Sequence, residues 1–496
     1  MFNKNDELQV TITDQGTSGE GIGKVDGYTL FVKDAVIGDE CLVKIMKAKK
    51  NYGFARLMEV IKPSDSRVEP RCKVARSCGG CQLQTMSYEK QLEFKNNKVL
   101  NNLKRIGGID LSKVEVEPII GMDVPFCYRN KAQFPVGRNK DGEICYGFYA
   151  GRTHSIIEND GCDLSLQVEG QNVCKDIMDI IVGFMNDYDI DPYDEAARQG
   201  LVRHVLIRIG HKTNQVMVCI VINGNELPHS EILIERLSVI RFVSTVAINI
   251  NKEAGNVIMG LNTKTLSGLG YIEDYIGNVK FRISPLSFFQ VNPVQTEKLY
   301  AKALEYAALT GKETVWDMYC GIGTISLFLA QSAGKVMGVE IVDAAIKDAK
   351  LNANINNITN ADFLCGAAEK VVPEFFEQNK DELSKVDTSE GSRRSGAEVN
   401  CGAGRSGAEV NHGSELCKPD VVVVDPPRKG CDTKLLETIT LMNPQRLVYV
   451  SCDSATLARD VAWLEAHGFK LEKVTCCDMF SQTIHVETVA LLSKIA

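Results

Sequence analysis

Three segments near the carboxyl end carry side chains suited to covalent chemistry on a nucleobase. The run Arg446, Leu447, Val448, Tyr449, Val450 reads as a strand and delivers a cysteine, Cys452, in YVSCDSATLARD. Asp425 stands twenty-seven residues upstream in VVVVDPPRKG, and Glu487 thirty-five residues downstream in MFSQTIHVETVALL. Carbon 5 of a pyrimidine is too poor a nucleophile to attack a sulfonium methyl donor. A thiolate added to carbon 6 makes an enolate that can, and a base must then remove the hydrogen on carbon 5 before the thiolate leaves. Cys452 is the candidate nucleophile and Glu487 the candidate base. A strand-end cysteine alone is more often a core residue; its neighbours here reverse that weighting.

The loop Asp425-Pro426-Pro427-Arg428 falls just past a predicted strand, where parallel sheets place their ligands. Two consecutive prolines make it extended and rigid, able to hold a flat base beside a methyl donor. A second strand–turn–helix reads TVWDMYCGIGTISLFLA. Gly321 and Gly323 let the backbone approach a ligand at a helix N-terminus, and Glu340, closing VMGVE nineteen residues beyond Gly321, can accept hydrogen bonds from a ribose. The turn lacks the full GxGxxG of a pyrophosphate site and resembles that of S-adenosylmethionine (SAM) methyltransferases.

A third constellation is Cys72, Cys78 and Cys81 in RCKVARSCGGCQLQ, with Cys162 in ENDGCDL. Four thiolates could close a tetrahedral zinc site or hold a 4Fe-4S cluster, and the spacing alone slightly favours zinc. Seventeen cysteines without an export signal point to a reducing compartment. Most, including Cys219, Cys365, Cys476 and Cys477, sit in apolar strand contexts as core residues, as do Cys127 and Cys145.

The elements that must position these residues divide the 496-residue chain into three domains. Residues 1–62 alternate apolar and polar side chains between Gly-rich turns, which predicts a small RNA-binding β-barrel. Residues 63–283 mix the cysteine group, a helix from Tyr88 to Ile106 and apolar strands. In 284–496 helices alternate with strands, as in a doubly wound parallel sheet. Residues 380–418, with the duplicated heptapeptide RSGAEVN and few large apolar side chains, read as a disordered insertion. The net charge of −8 speaks against nucleic-acid binding over the whole surface, yet Lys44 to Arg105 holds fifteen Lys and Arg against five Asp and Glu, a docking surface for phosphates. No stretch approaches eighteen apolar residues, so no membrane span is expected and the cytoplasm is the expected location.

DPPRKG, YVSC, the threonine of SATLARD and DMFSQTIHVE together resemble the two signatures of the RNA uracil-5-methyltransferase (TrmA/RumA) family. The barrel at the amino end resembles a TRAM domain. The resemblance implies a Rossmann-like methyltransferase domain after a mixed α+β domain and an OB-like barrel. Position by position it implies Cys452 as nucleophile, Glu487 as base, and SAM contacts from Gln290, Tyr319, Glu340 and Asp425. It also implies a 4Fe-4S cluster on Cys72, Cys78, Cys81 and Cys162. A TRAM domain and cluster cysteines together point to 23S ribosomal RNA rather than transfer RNA; a monomer is expected. The target uracil must leave its stack, with Phe288 and the segment Tyr128 to Phe134 as expected RNA contacts. Two departures stand out: Asp453 where the family has Asn or Gln, expected to disfavour the thiolate, and Ser481 where it has Pro. The alternatives are a transfer-RNA uridine-5-methyltransferase, a base amino-methyltransferase that would not need Cys452, and a non-catalytic iron–sulfur RNA-binding protein. A cytosine-5-methyltransferase would carry a cysteine after a proline of the fourth-strand loop, where Pro427 precedes Arg428.

Overall fold

The computed structural model describes residues 2–159, 161–378 and 418–495. Strands Glu7–Gln15, Gly21–Val25, Tyr28–Lys33, Glu40–Ala48 and Tyr52–Lys62 close a five-stranded barrel. Alternation decides which side chains fill it: Val10, Ile12, Leu30, Val32, Val43, Ile45 and Leu57 point inward. Gly23 is required where two strands nearly touch, since a Cβ there would lie 2.5 Å from the Thr11 carbonyl oxygen. Arg67 ties the barrel to the segment after it, its guanidinium donating to both oxygens of the buried Asp39 carboxylate.

A seven-stranded sheet forms the middle of the chain. Its strands Val202–Ile209 and Val216–Ile222 are buried along their whole length; Val216–Ile222 accordingly reads as a continuous apolar run, whereas Val202–Ile209 buries Arg203, His204 and Arg208 among its apolar residues. Helix Val173–Asp187 covers it with Ile177, Ile181 and Phe184.

The third unit is an eight-stranded sheet in the order Ala361–Cys365, Lys335–Glu340, Thr314–Asp317, Val421–Val424, Arg446–Ser451, Glu487–Lys494, Phe469–Cys477, Glu115–Val116. The first five strands run parallel and Glu487–Lys494 runs antiparallel to Arg446–Ser451. This is the Rossmann-like α/β arrangement expected from the alternation of helices and strands. One feature differs from the expected grouping. Helix Tyr88–Arg105 and strand Glu115–Val116, which precede the middle sheet in the chain, belong spatially to this last unit. Val99, Leu103, Ile109 and Val114 share a core with Tyr449, Leu457, Val461 and Leu471. The expected insertion at 380–418 falls, but for its last residue, outside the described residues. Among the described residues no helix is long and apolar enough to cross a membrane.

Candidate active site

In an open parallel sheet, ligands gather at the carboxyl edge where the strand order reverses, here between Thr314–Asp317 and Val421–Val424. Asp317 and Glu340 end their strands, Asp425 follows Val424, and Cys452 follows Ser451. Glu487 begins the antiparallel strand, so its end of the sheet is the same one. Gln290, Tyr319, Glu340, Asp425, Cys452 and Glu487 all line one cavity of about 1010 Å³. The six expected site residues, drawn from segments as far apart as 290 and 487, are thus brought together.

The turn after Asp317 is built as the glycines require. Gly321 and Gly323 take φ of 54° and 84° before helix Thr324–Ala330. Glu340 braces it: one carboxylate oxygen accepts from the Gly321 N–H at 3.1 Å and the other from the Val342 N–H at 2.9 Å. Glu340 also lines the cavity, where a carboxylate can accept from hydroxyl donors. The DPPRKG loop is closed by the Gly430 N–H donating to the Pro427 carbonyl and is fixed to helix Ser454–Glu465. There Arg459 donates to the Lys429 and Cys431 carbonyls and Asp460 accepts from the Cys431 N–H.

The electrostatics of the site are those of crowded acids. Burial pushes Asp317 up to about 6, although the Ser326 hydroxyl donates to it. Burial and the Asp317 charge push Asp425 up to about 7. Burial and Asp425 push Glu487, 4 % exposed, up to about 8, with Arg428 opposing. The half-buried Cys452 thiol rises to about 11 through burial, Glu487 and Asp425, again opposed by Arg428. Among the described residues nothing hydrogen-bonds the carboxylates of Asp425 or Glu487. A site of this kind favours a cationic occupant, and SAM carries a sulfonium and an ammonium. Such charges lower every one of these pKa values. His485 also lines the cavity and is held neutral, pushed down to about 4 by burial and by the cations Arg428, Lys98, Lys95 and Arg129.

Asp453 does something other than expected. Its carboxylate caps helix Ser454–Glu465, accepting from the Ala455 and Thr456 N–H groups at 2.9 and 3.1 Å. The carboxylates that raise the Cys452 thiol are Glu487 and Asp425. Ser481 is fully buried, its carbonyl accepting from the Tyr128 hydroxyl and its own hydroxyl from the Gln482 amide. The expected RNA contacts at Tyr128 and Phe134 are corrected by the structure: both rings are buried, because Tyr128 braces that loop and Phe134 packs in the middle core. Arg129, Lys131 and the 65 % exposed Phe288 do line the cavity.

Sequence inspection did not single out the clamp that holds the segment leading to Glu487. Lys95 and Asp478 form an ion pair at 2.5 Å with both side chains fully buried, and the Tyr88 hydroxyl donates to the other Asp478 oxygen. Gln482 has φ of 66°, and its N–H and side-chain oxygen pair with both ends of the Gln91 amide. Its carbonyl accepts from the Gln82 and Leu83 N–H groups, the residues directly after Cys81. Asp317 was also missed, though an acid closing the strand before a Gly-rich turn was a legible signal.

Cys72, Cys78, Cys81 and Cys162 line the same cavity, and the charges of the other members help raise Cys81, which burial first pushes up to about 12. The Gly80 N–H donates to the Cys78 sulfur at 3.3 Å, and the Val74 and Leu164 amides favour the thiolates of Cys72 and Cys162. Peptide donors aimed at sulfur stabilise metal-ligating thiolates. Among the described residues no three His, Cys, Asp or Glu side chains close tightly enough to hold a single metal ion. The four thiols gather on one wall of the cavity, within electrostatic reach of one another.

Comparison with known proteins finds relatives over nearly the whole chain. The TRAM domain family matches residues 2–58, and the family described as tRNA (Uracil-5-)-methyltransferase matches residues 261–385 and 414–495. A Clostridium tetani protein named as an uncharacterized RNA methyltransferase is 46 % identical over 491 residues, covering 99 % of this chain and 97 % of its own. One from Halalkalibacterium halodurans, similarly named, is also 46 % identical over 491 residues, with the same coverage of both chains. Among solved structures, the Pyrococcus abyssi tRNA (uracil-54, C5)-methyltransferase in complex with S-adenosyl-L-homocysteine superposes with a TM-score of 0.70 at 25 % identity, covering 98 % of this chain and 100 % of that one.

Proposed function

This chain belongs to the RNA uracil-5-methyltransferase family, and from that premise we propose that it methylates carbon 5 of uridine in 23S ribosomal RNA through a covalent adduct of Cys452 to carbon 6. SAM supplies the electrophilic methyl group. The observation that carries the covalent route is the meeting of Cys452, Asp425 and Glu487 at one sheet edge, within electrostatic reach of one another. Arg428 favours the thiolate, which adds to carbon 6 of a uracil extruded into the cavity and leaves an enolate at carbon 5. Once carbon 5 is methylated, Glu487, freed of its own proton, takes the hydrogen from that carbon and the Cys452 sulfur departs. Glu340 is assigned to the ribose of SAM, with Gln290, Tyr319 and Asp425 completing its site. Cys72, Cys78, Cys81 and Cys162 are assigned to a 4Fe-4S cluster, and the protein to the cytoplasm as a monomer.

Transfer RNA is the second reading, favoured by the superposition on the tRNA (uracil-54, C5)-methyltransferase. That match spans nearly the whole chain, so the barrel by itself does not separate the two RNAs. The test is methylation in vitro of 23S RNA and bulk transfer RNA from a deletion strain, with mass-spectrometric mapping of 5-methyluridine. Product only in transfer RNA overturns the ribosomal assignment. Cys452→Ala should abolish methylation and any covalent protein–RNA species, whereas Glu487→Gln should accumulate a denaturation-resistant, methylated adduct. Substantial turnover by Cys452→Ala would overturn the covalent route. Anaerobically purified protein should be brown with about four irons per chain; stoichiometric zinc without labile sulfide would remove the cluster.

A further inference from the structure

The amino-terminal barrel has an outer face that its own fold leaves uncovered. Strands Tyr28–Lys33 and Tyr52–Lys62 pair in parallel with Thr29 opposite Tyr52, Phe31 opposite Phe54 and Lys33 opposite Arg56. Because Leu30, Val32, Ala55 and Leu57 fill the barrel, the alternation sends Phe31, Tyr52, Phe54, Arg56 and Met58 outward. Three aromatic rings thus meet on the outside. Phe31 and Phe54 stack at 5.5 Å between centroids, and the Tyr52 ring stands edge-on to both, at 5.9 and 5.8 Å. Tyr52 is 40 % and Phe54 37 % exposed.

Cations frame this cluster. Lys47 lies opposite Phe54 and Lys24 opposite Thr29 in the neighbouring strands, and Arg56 follows Phe54 on the same face. Among the described residues Lys24, Lys47 and Arg56 have no ion-pair partner, whereas Lys44 is paired with Glu7. Exposed aromatics set among unpaired cations are poor surface for a soluble barrel. They match an unpaired nucleic-acid strand, whose bases stack on rings while its phosphates meet the cations. A duplex keeps its base faces covered and could not use the rings.

The face also leads toward the catalytic cavity. Lys33, at the end of the aromatic row, donates to the Arg76 carbonyl, and Arg76 in turn donates to the Leu57 carbonyl of the barrel. Arg76 sits between Cys72 and Cys78, which line the cavity containing Cys452. We propose that Phe31, Tyr52 and Phe54 form a stacking platform for single-stranded RNA flanking the target nucleotide, with Lys24, Lys47 and Arg56 holding its phosphates. The inference rests on the RNA-methylating reading of the site. It adds the requirement that the flanking strand be unpaired over roughly two or three bases, one per ring or fewer.

The test uses the full-length protein and fluorescein-labelled octauridylate and octaadenylate, with a blunt duplex of equal length, read by fluorescence anisotropy. Tyr52→Ala and Phe54→Ala should each weaken single-strand binding about 5- to 150-fold, the range for losing one base–aromatic stack. Phe54→Tyr, which keeps a stacking ring, should stay near wild type, and SAM affinity should be unchanged in every variant. Lys47→Ala with Arg56→Ala should flatten the salt dependence, by about 0.7 in log–log slope for each phosphate no longer neutralised. Wild-type affinity in both aromatic alanine variants, or equal affinity of the wild type for duplex and single strand, overturns the platform. So does loss of binding in Phe54→Tyr equal to that in Phe54→Ala, since the ring face would then not be what binds. Methylation assays separate the two proposals. If no 5-methyluridine forms but the alanine variants still lose oligonucleotide binding, the platform stands without the enzymatic reading; if methylation proceeds and the variants bind normally, the platform alone falls.

Discussion

Glu487→Gln should make the ligand-free protein more stable, and increasingly so as pH rises. Burial and the neighbouring Asp425 raise the Glu487 carboxyl from 4.5 to about 8. Between those two values the folded protein keeps a proton that the unfolded chain has released, so wild-type stability falls as pH climbs through the window and levels off above it. At about 1.4 kcal/mol per pH unit the full effect is about 5 kcal/mol. Only about 3.5 kcal/mol of it falls between pH 5 and pH 8, and water entering the cavity reduces this, leaving an expected gain for the variant of about 1–3 kcal/mol at pH 8 relative to pH 5. Glutamine has nearly the same shape and does not titrate. Two kcal/mol corresponds to about 4–8 °C in melting temperature for a domain of this size. Differential scanning fluorimetry of both proteins from pH 5 to pH 9 without SAM reads the difference directly. Saturating SAM should shrink it, because a cation beside the carboxylates lowers the wild-type pKa. A gap between variant and wild type that is constant across the pH range would refute the argument that Glu487 is held protonated by its surroundings, and with it the idea that a cationic ligand primes the base.

Lys95→Met leaves Asp478 charged and buried without its partner, and should cost about 3–5 kcal/mol in urea denaturation; adding Asp478→Asn should recover most of that loss. Gln482→Ala removes the side-chain bond from Gln91 that ties the Glu487 segment to helix Tyr88–Arg105 and places alanine at positive φ, so turnover should fall about tenfold or more while SAM affinity by calorimetry stays within about twofold. Asp453→Ala should lower stability by about 1 kcal/mol through loss of the helix cap, and Asp453→Asn by much less. In both variants the pH dependence of Cys452 alkylation by iodoacetamide should match wild type; a shift to lower pH would show that Asp453 does press on the thiol.

What the sequence made legible was local. The barrel followed from period-two alternation, the parallel sheet from helices alternating with apolar strands, and the edge placement of Asp425 and Cys452 from strands that stop at them. Glu340 was legible because an acid ending the second strand has a defined neighbour in the Gly-rich turn, and Gly321 proved to be that neighbour. The clamp was not legible, since Lys95 and Asp478 are 383 residues apart and nothing in either neighbourhood names the other. Tyr128 was misplaced for the same reason: an aromatic in a basic segment looks like a stacking ring until the Ser481 carbonyl claims its hydroxyl. Asp453 looked like a repulsive neighbour of Cys452 because adjacency in sequence says nothing about direction, and the carboxylate turns to the helix behind it.

The capture of helix Tyr88–Arg105 and strand Glu115–Val116 by the last sheet has a consequence for how the chain is made. Residue 116 leaves the ribosome about 340 residues ahead of Ser454, where the helix that Val99 and Leu103 pack against begins. At roughly 5–20 residues per second, Val99 and Leu103 wait on the order of 20–70 s for the surface they pack against. During that interval the amphipathic helix is an exposed, sticky segment directly after Cys81. A fragment starting at Ser284 keeps the opposite problem permanently, baring Leu457, Val461 and Leu471 where the helix should lie. The catalytic unit is therefore assembled from two ends of the message, and a truncated enzyme that stays in solution has to retain residues 88–116.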